Sequence, residues 1–187
     1  MRRLLAISGK RFSGKDTFAA LLVDEAKKLG VTLETYAFAG ESKRLFAEQQ
    51  RREGVEVDLA RLTADREYKE AWRPKLTKFT VEAIAADPLV FCRAVAQRIE
   101  ASGRPALITD LRLKLELDYL RPRFALHVVR LVRSDAARAA SGWQFKQDVD
   151  THHTETELDD PSLWDEVVTN EGAVEALRAR ARALVPG

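Results

Sequence analysis

The chain has 187 residues, 45% of them hydrophobic and 32% charged, enough for one sizeable core and unlike a disordered or fibrous chain. Charges nearly cancel at +2, so the bulk balance asks for neither a nucleic-acid nor a membrane partner, and no apolar stretch reaches spanning length. One cysteine, Cys92, excludes an internal disulfide framework. The apolar run behind Arg2 and Arg3 is too short for a signal peptide, which points to a cytoplasmic protein.

In chain order, RLLAIS predicts a buried strand, and Asp16 to Leu29 a helix that stops at Gly30. TLETYAFA predicts a second strand, followed by a charged helix from Glu41 to Gln50. From Leu59 to Glu100 the pattern is mostly helical, interrupted at Pro74 and at Ala86–Pro88, with Cys92 as a buried small hydrophobe. RPALITD predicts a third strand ending in Asp110, and ALHVVRLV a fourth, with Pro122 closing the helix between them. The polar stretch that follows, from Ser134 to Asp160, carries His152 and His153 and reads as a mobile loop–helix excursion. The histidines there are expected to be solvated or hydrogen-bonded to carboxylates. WDEVVTN predicts a fifth strand and EGAVEALRARARALV a closing helix. Strands alternating with helices imply a single α/β domain with a parallel sheet covered on both faces.

The segment GKRFSGKD fits G-x-x-x-x-G-K at Gly9, Gly14 and Lys15. Gly9 and Gly14 let the backbone curl so that successive N–H groups face an anion, and the helix after Lys15 turns its positive end toward the same anion. Lys15 adds a point charge on the outer phosphates. Asp16 stands where such loops usually place Ser or Thr; its carboxylate can ligate Mg²⁺ or hold one of its waters, or simply favour the helix start, and Thr17 offers a hydroxyl next door. Lys10 and Arg11, between the two glycines, are placed to face phosphates. Asp110 ends a strand where a second metal-holding carboxylate would sit, and Arg112 lies at the carboxyl end of the sheet. Arg130, Arg133 and Arg138 follow the fourth strand into the polar excursion, where lid arginines can neutralise a moving phosphoryl group. Asn170 and Gly172, before the last helix, either border an adenine or cap that helix.

The segments ISGKRFSGKD, REYKEAWR, ADPLVFCR, ITDLR and SGWQFKQDVD…TETELDD occur in the order seen in animal-type phosphomevalonate kinases, and the resemblance runs from about Leu4 to Gly172. It implies a P-loop kinase fold, a three-layer sandwich on a five-stranded parallel sheet like that of nucleoside monophosphate kinases. A helical acceptor-binding region would span about 41–100 and a lid about 134–158. The implied reaction moves the γ-phosphoryl group of ATP, with Mg²⁺, to a small phosphate monoester to give a diphosphate. Carried onto this chain, the nucleotide site comprises Gly9, Lys10, Arg11, Ser13, Gly14, Lys15, Asp16, Thr17 and Asn170. Asp16 or Thr17, with Asp110, would hold the metal. Lys15, Arg112, Arg130 and Arg138 would act on the transferred group. Arg11, Lys43, Lys69, Arg73, Arg93 and Arg112 would bind the acceptor. Ile84, Leu113 and Ser141 stand where that family carries cations, which leaves the acceptor open between phosphomevalonate and another small phosphate monoester. Phage and bacterial deoxynucleoside monophosphate kinases are also similar, sharing a loop like SGKDT, the strand-end Asp-x-Arg and a tail like HHTETELDD. A deoxynucleoside monophosphate kinase, or a degenerate nucleotide-binding module, are therefore the alternative functions.

Overall fold

In the computed structural model, which describes residues 2–185, the first apolar run forms β1 (Arg3–Ser8), buried from Leu4 onward. A strand with apolar side chains on both faces needs cover on both, and a parallel sheet flanked by helices supplies it. β2 (Glu34–Tyr36), β3 (Ala106–Ile108), β4 (Ala125–Val132) and β5 (Glu166–Thr169) complete that sheet in the order β2-β3-β1-β4-β5, all neighbours parallel. Ala6 lies beside Ile108 on one side and Val128 on the other, so the carboxyl ends of β1, β3 and β4 are side by side.

The helices are α1 (Lys15–Lys28), α2 (Phe38–Arg52), α3 (Leu59–Ala64), α4 (Arg66–Ala86) and α5 (Val90–Ser102). Beyond β3 follow α6 (Lys114–Leu120), α7 (Asp135–Ala140), α8 (Gln147–Asp150), α9 (His153–Thr156) and α10 (Val174–Leu184). Two compact units result: Met1–Tyr36 with Ser102–Gly187, and Ala37–Ala101. The first contains the sheet. On one of its faces Leu5, Ile7, Leu107, Val129, Leu131 and Val168 pack with Phe18, Leu22 and Ala26 of α1 and Leu177 and Ala181 of α10.

In the second unit the aromatic ring of Phe46 meets Trp72 edge-on at 5.8 Å and Phe79 at 5.7 Å. Buried Glu41 accepts from Arg44 Nε at 2.8 Å and pairs with Arg98, and Ser42 Oγ meets Thr80 Oγ1 at 2.6 Å.

Two elements differ from the sequence-based expectation. β2 is three residues long and α2 begins at Phe38, because β2 is an edge strand whose one partner, β3, is itself only three residues long; the Thr109 N–H closes the ladder on Tyr36 O. Pro74 does not interrupt its helix. α4 runs through it, started by the Asp65 carboxylate accepting from Tyr68 N, with Trp72 and Phe79 packed on Phe46 to either side of the proline. Such packing offsets the hydrogen bond that proline removes. Within the core, Leu22→Ala is expected to cost about 2–5 kcal/mol, because Leu22 is fully buried. Urea titration would register this as a lower midpoint at unchanged slope.

Candidate functional site

The loop between β1 and α1 has the backbone of an anion cradle. Gly14, the residue before α1, adopts φ 93°, and a Cβ there would come within 2.3 Å of Asn170 Nδ2. At Gly9 a Cβ would meet the carbonyl oxygen of Leu131 at 2.6 Å, so both glycines are required by close approach. Phe12, at the loop tip, is left-handed at φ 60°, next to a turn closed by Ser13 N donating to Lys10 O at 3.2 Å. Asn170 anchors the loop from β5: its Nδ2 donates to Ser13 O at 2.9 Å, while its Oδ1 accepts from Gly172 N. Helix α10 starts instead after Ala173, without a side-chain cap, so Asn170 ties down the loop rather than capping that helix.

Lys15 folds its Nζ back onto the loop, donating to Gly9 O at 2.6 Å and Lys10 O at 2.9 Å. Burial, and after it the Arg112 charge, lower its pKa to about 8, against the opposing pull of Glu155 and Asp16. Arg112 follows β3, with its backbone N–H held at 2.8 Å by Glu116. Burial raises that Glu116 carboxyl to about 7, even though the N–H groups of Arg112 and Leu113 stabilise its charged form.

Arg130, 5% exposed at the end of β4, donates to Ser8 Oγ at 2.9 Å and stacks 5.1 Å from the Trp164 ring. Arg138 on α7 is 6% exposed, donates through Nε to Arg11 O at 2.9 Å and lies 3.8 Å over Trp143. These two arginines are built into the site, not spread over a solvated face.

Arg112, Arg130 and Arg138, like the loop cations Lys10 and Arg11, each pair with a carboxylate from the polar excursion. Asp159 bridges Lys10 (2.8 Å) and Arg130. Glu155 pairs with Arg112 and accepts the Arg11 N–H at 2.8 Å. Asp150 takes Arg11 Nη1 at 3.3 Å, the Trp143 indole N–H at 3.0 Å and, more distantly, Arg138 at 3.7 Å. Burial opposes its charge, but the Lys146 N–H, Trp143 and the two arginines hold its pKa below the ordinary value. Sequence reasoning missed all three carboxylates. The histidines in the same stretch are exposed, as expected, and His152 bonds Thr154 Oγ1 at 2.9 Å. The signal that could have found the acids is the density of Asp and Glu in DVDTHHTETELDD facing a run of loop cations.

A cavity of about 510 Å³ opens among Lys10, Ser13, Arg130, Arg133, Arg138, Trp143, Phe145 and Trp164. Ser13 Oγ and Arg133 Nε, both from residues lining it, are buried without a hydrogen-bond partner among the described residues. Asp135, Asp150 and Asp159 also line the cavity, outnumbered by Lys10, Arg130, Arg133 and Arg138, and unsatisfied donors in such a lining suit an oxygen-rich anion. Asp16 and Thr17 are exposed in the first turn of α1, and Asp110 follows β3. Hard oxygen donors of this kind suit Mg²⁺, which uses one or two carboxylates and completes its shell from phosphate and water. Among the described residues no group of three or more His, Cys, Asp or Glu gathers as an all-protein cage. Lys43, Lys69, Arg73 and Arg93 belong to the second unit. There Arg73 is exposed and forks onto Glu70 at 2.5 and 2.6 Å, and Arg93 pairs with Asp87. Among the described residues no helix is long and apolar enough to cross a membrane.

Comparison with known proteins agrees with this arrangement. The family described as phosphomevalonate kinase matches residues 7–126. A phosphomevalonate kinase of Drosophila melanogaster is 29% identical over 165 residues, covering 86% of this chain and 83% of that protein. Among solved structures, a Thermus thermophilus protein superposes with a TM-score of 0.56 at 18% identity, over 98% of this chain and 96% of that one. A gluconokinase from Sinorhizobium meliloti gives 0.52 at 17% identity, over 98% and 92%. At these identities the structures speak for the fold alone, and that fold is the P-loop kinase sandwich.

Lys15 Nζ is expected to titrate near pH 8, well below an ordinary lysine at 10.5. Acylation of Lys15 measured across pH would show reactivity rising through that value; reactivity appearing only with the surface lysines would contradict its burial among cations.

Proposed function

The chain belongs to the phosphomevalonate kinase family, and we propose that it transfers the γ-phosphoryl group of ATP to the phosphate of phosphomevalonate, giving a diphosphate and ADP. The observation that carries this reading is the meeting of a phosphate loop with Lys15, Arg112, Arg130 and Arg138 at the adjacent carboxyl ends of β1, β3 and β4.

The loop N–H groups and Ser13 hold the nucleotide phosphates, and Lys15 turns from the loop carbonyls to the outer ones. Lys10 and Arg11 exchange their carboxylate partners for phosphate oxygens. Mg²⁺, when bound, would screen the phosphate charges, held by Asp16 or Thr17 with Asp110 behind. In a loose transition state the charge spreads over the transferred group's oxygens, and Arg112, Arg130 and Arg138 neutralise it. Positioning and electrostatics supply the catalysis, without a covalent enzyme intermediate. Arg11 and Arg112, with Lys43, Lys69, Arg73 and Arg93 of the helical region, bind the acceptor. Residues 134–158 form the lid, Asn170 borders the nucleotide, and the whole acts as one kinase domain in the cytoplasm, without nucleic acid.

A second reading, a deoxynucleoside monophosphate kinase, is favoured by the neutral residues Ile84, Leu113 and Ser141 on the acceptor side. ADP release with ATP and Mg²⁺ against phosphomevalonate and each deoxynucleoside monophosphate separates the two. Turnover of phosphomevalonate is expected, and turnover of nucleotides alone would replace this reading by the second.

With the preferred acceptor, Lys15→Ala is expected to lower kcat by about 10²-fold or more while circular dichroism stays unchanged. Near-normal turnover would remove the phosphate-loop assignment. Arg138→Ala is expected to lower kcat by about 10²-fold with little change in KM, the pattern of an interaction made in the transition state. A change confined to KM would move Arg138 to ground-state binding.

A further inference from the structure

Glu155 sits on α9, with its side chain 4% exposed. One carboxylate oxygen pairs with the Arg112 guanidinium and the other accepts the Arg11 N–H at 2.8 Å. A single side chain thus joins the arginine after β3 to the backbone of the phosphate loop. The burial of the pair is unequal: the Arg112 side chain is 35% exposed, so its fork keeps N–H groups open to a ligand while the carboxylate lies beneath it. Asp159 is the opposite case, 39% exposed over Lys10, where an incoming phosphate can take its place.

The segment is itself anchored. The Glu157 carboxylate accepts the Lys114 N–H at 2.8 Å at the start of α6, and Arg112 is fixed at its other end by Glu116 on its backbone N–H. Arg112 is therefore held at both ends, which is what a pre-set electrostatic group needs.

We propose that Glu155 is a positioning residue for phosphoryl transfer, acting through Arg112 and the phosphate-loop backbone, and not a carboxylate that ligand must displace. It rests on the kinase reading above through the role of Arg112. Glu155 touches no reacting atom; it fixes the direction in which the exposed side of Arg112 points and the height of the loop at Arg11.

A double-mutant cycle of the full chain tests it, using Glu155→Gln, Arg112→Gln and the pair, assayed for transfer from ATP to the preferred acceptor. Glu155→Gln is expected to lower kcat about tenfold with the KM for ATP changed less than about twofold, and to add almost nothing in the Arg112→Gln background. Wild-type kcat in Glu155→Gln, or losses that multiply in the double variant, would overturn the proposal. So would tighter ATP binding by Glu155→Gln, the mark of a displaced carboxylate. If Glu155→Gln does not fold, Glu155→Asp, which keeps the charge but is one methylene too short to span both partners, carries the same cycle.

Arginine side-chain NMR supplies a readout independent of any acceptor. The Arg112 guanidinium signals, assigned by their loss in Arg112→Gln, are expected to be resolved in the wild type and averaged in the Glu155 variant. Unchanged signals would refute the positioning role even if the enzyme proved to use another acceptor, whereas a wild type inactive on phosphomevalonate would refute only the acceptor assignment.

Discussion

Positive charge crowded at one end of a parallel sheet is the constraint that the sheet-bearing unit is organised around. Lys10, Arg11, Lys15, Arg112, Arg130 and Arg138 come from the phosphate loop, the turn after β3, the end of β4 and α7, and they meet at adjacent strand ends. Like charges at such separations repel by kilocalories unless opposite charge or solvent intervenes. Burial and then the neighbouring arginines depress Lys15, and the protein answers the crowding with acids from residues 150–159. That need explains why a polar, loop-like excursion is folded against the loop through Asp150, Glu155 and Asp159.

The acids divide by burial into two groups with different consequences. Asp159 is exposed and pairs with Lys10, a loop cation exposed to a similar degree. Glu155 and Asp150 are buried and hold Arg112, Arg138 and the loop backbone in place. Exposed pairs of this kind contribute little to stability, while a buried pair is costly to break from one side. The same chemistry therefore gives the site both replaceable contacts and fixed ones. Tryptophans reinforce the fixed set: Trp143 and Trp164 lie against Arg138 and Arg130 and supply apolar walls to an otherwise charged cavity.

Much of this was legible along the chain. All five strands were located, β1, β3 and β4 by apolar runs without polar alternation and β2 and β5 by shorter mixed segments, and the spacing of Gly9, Gly14 and Lys15 located the loop. Where propensity and packing disagreed, packing prevailed. Pro74 reads as a break, yet Trp72, Phe79 and Phe46 carry α4 through it, and TLETYAFA reads as a long strand although its edge position leaves three paired residues. Asn170 offered two local roles, and its distance of 157 positions from Ser13 hid the one the fold uses.

The sequence by itself determined the chemistry available: a loop whose two glycines let it curl, a lysine to follow it, arginines at and beyond two strand ends, and a family pattern over most of the length. Those features are local, set by backbone freedom and residue type within a few positions. The pairing of each cation was decided only by the tertiary structure. Glu155 meets Arg11 and Arg112 across 144 and 43 positions, and Arg130 meets Ser8 across 122. Such contacts depend on strand order and on how α9 docks, and charge, unlike hydrophobic periodicity, carries no record in the chain of which partner it will meet.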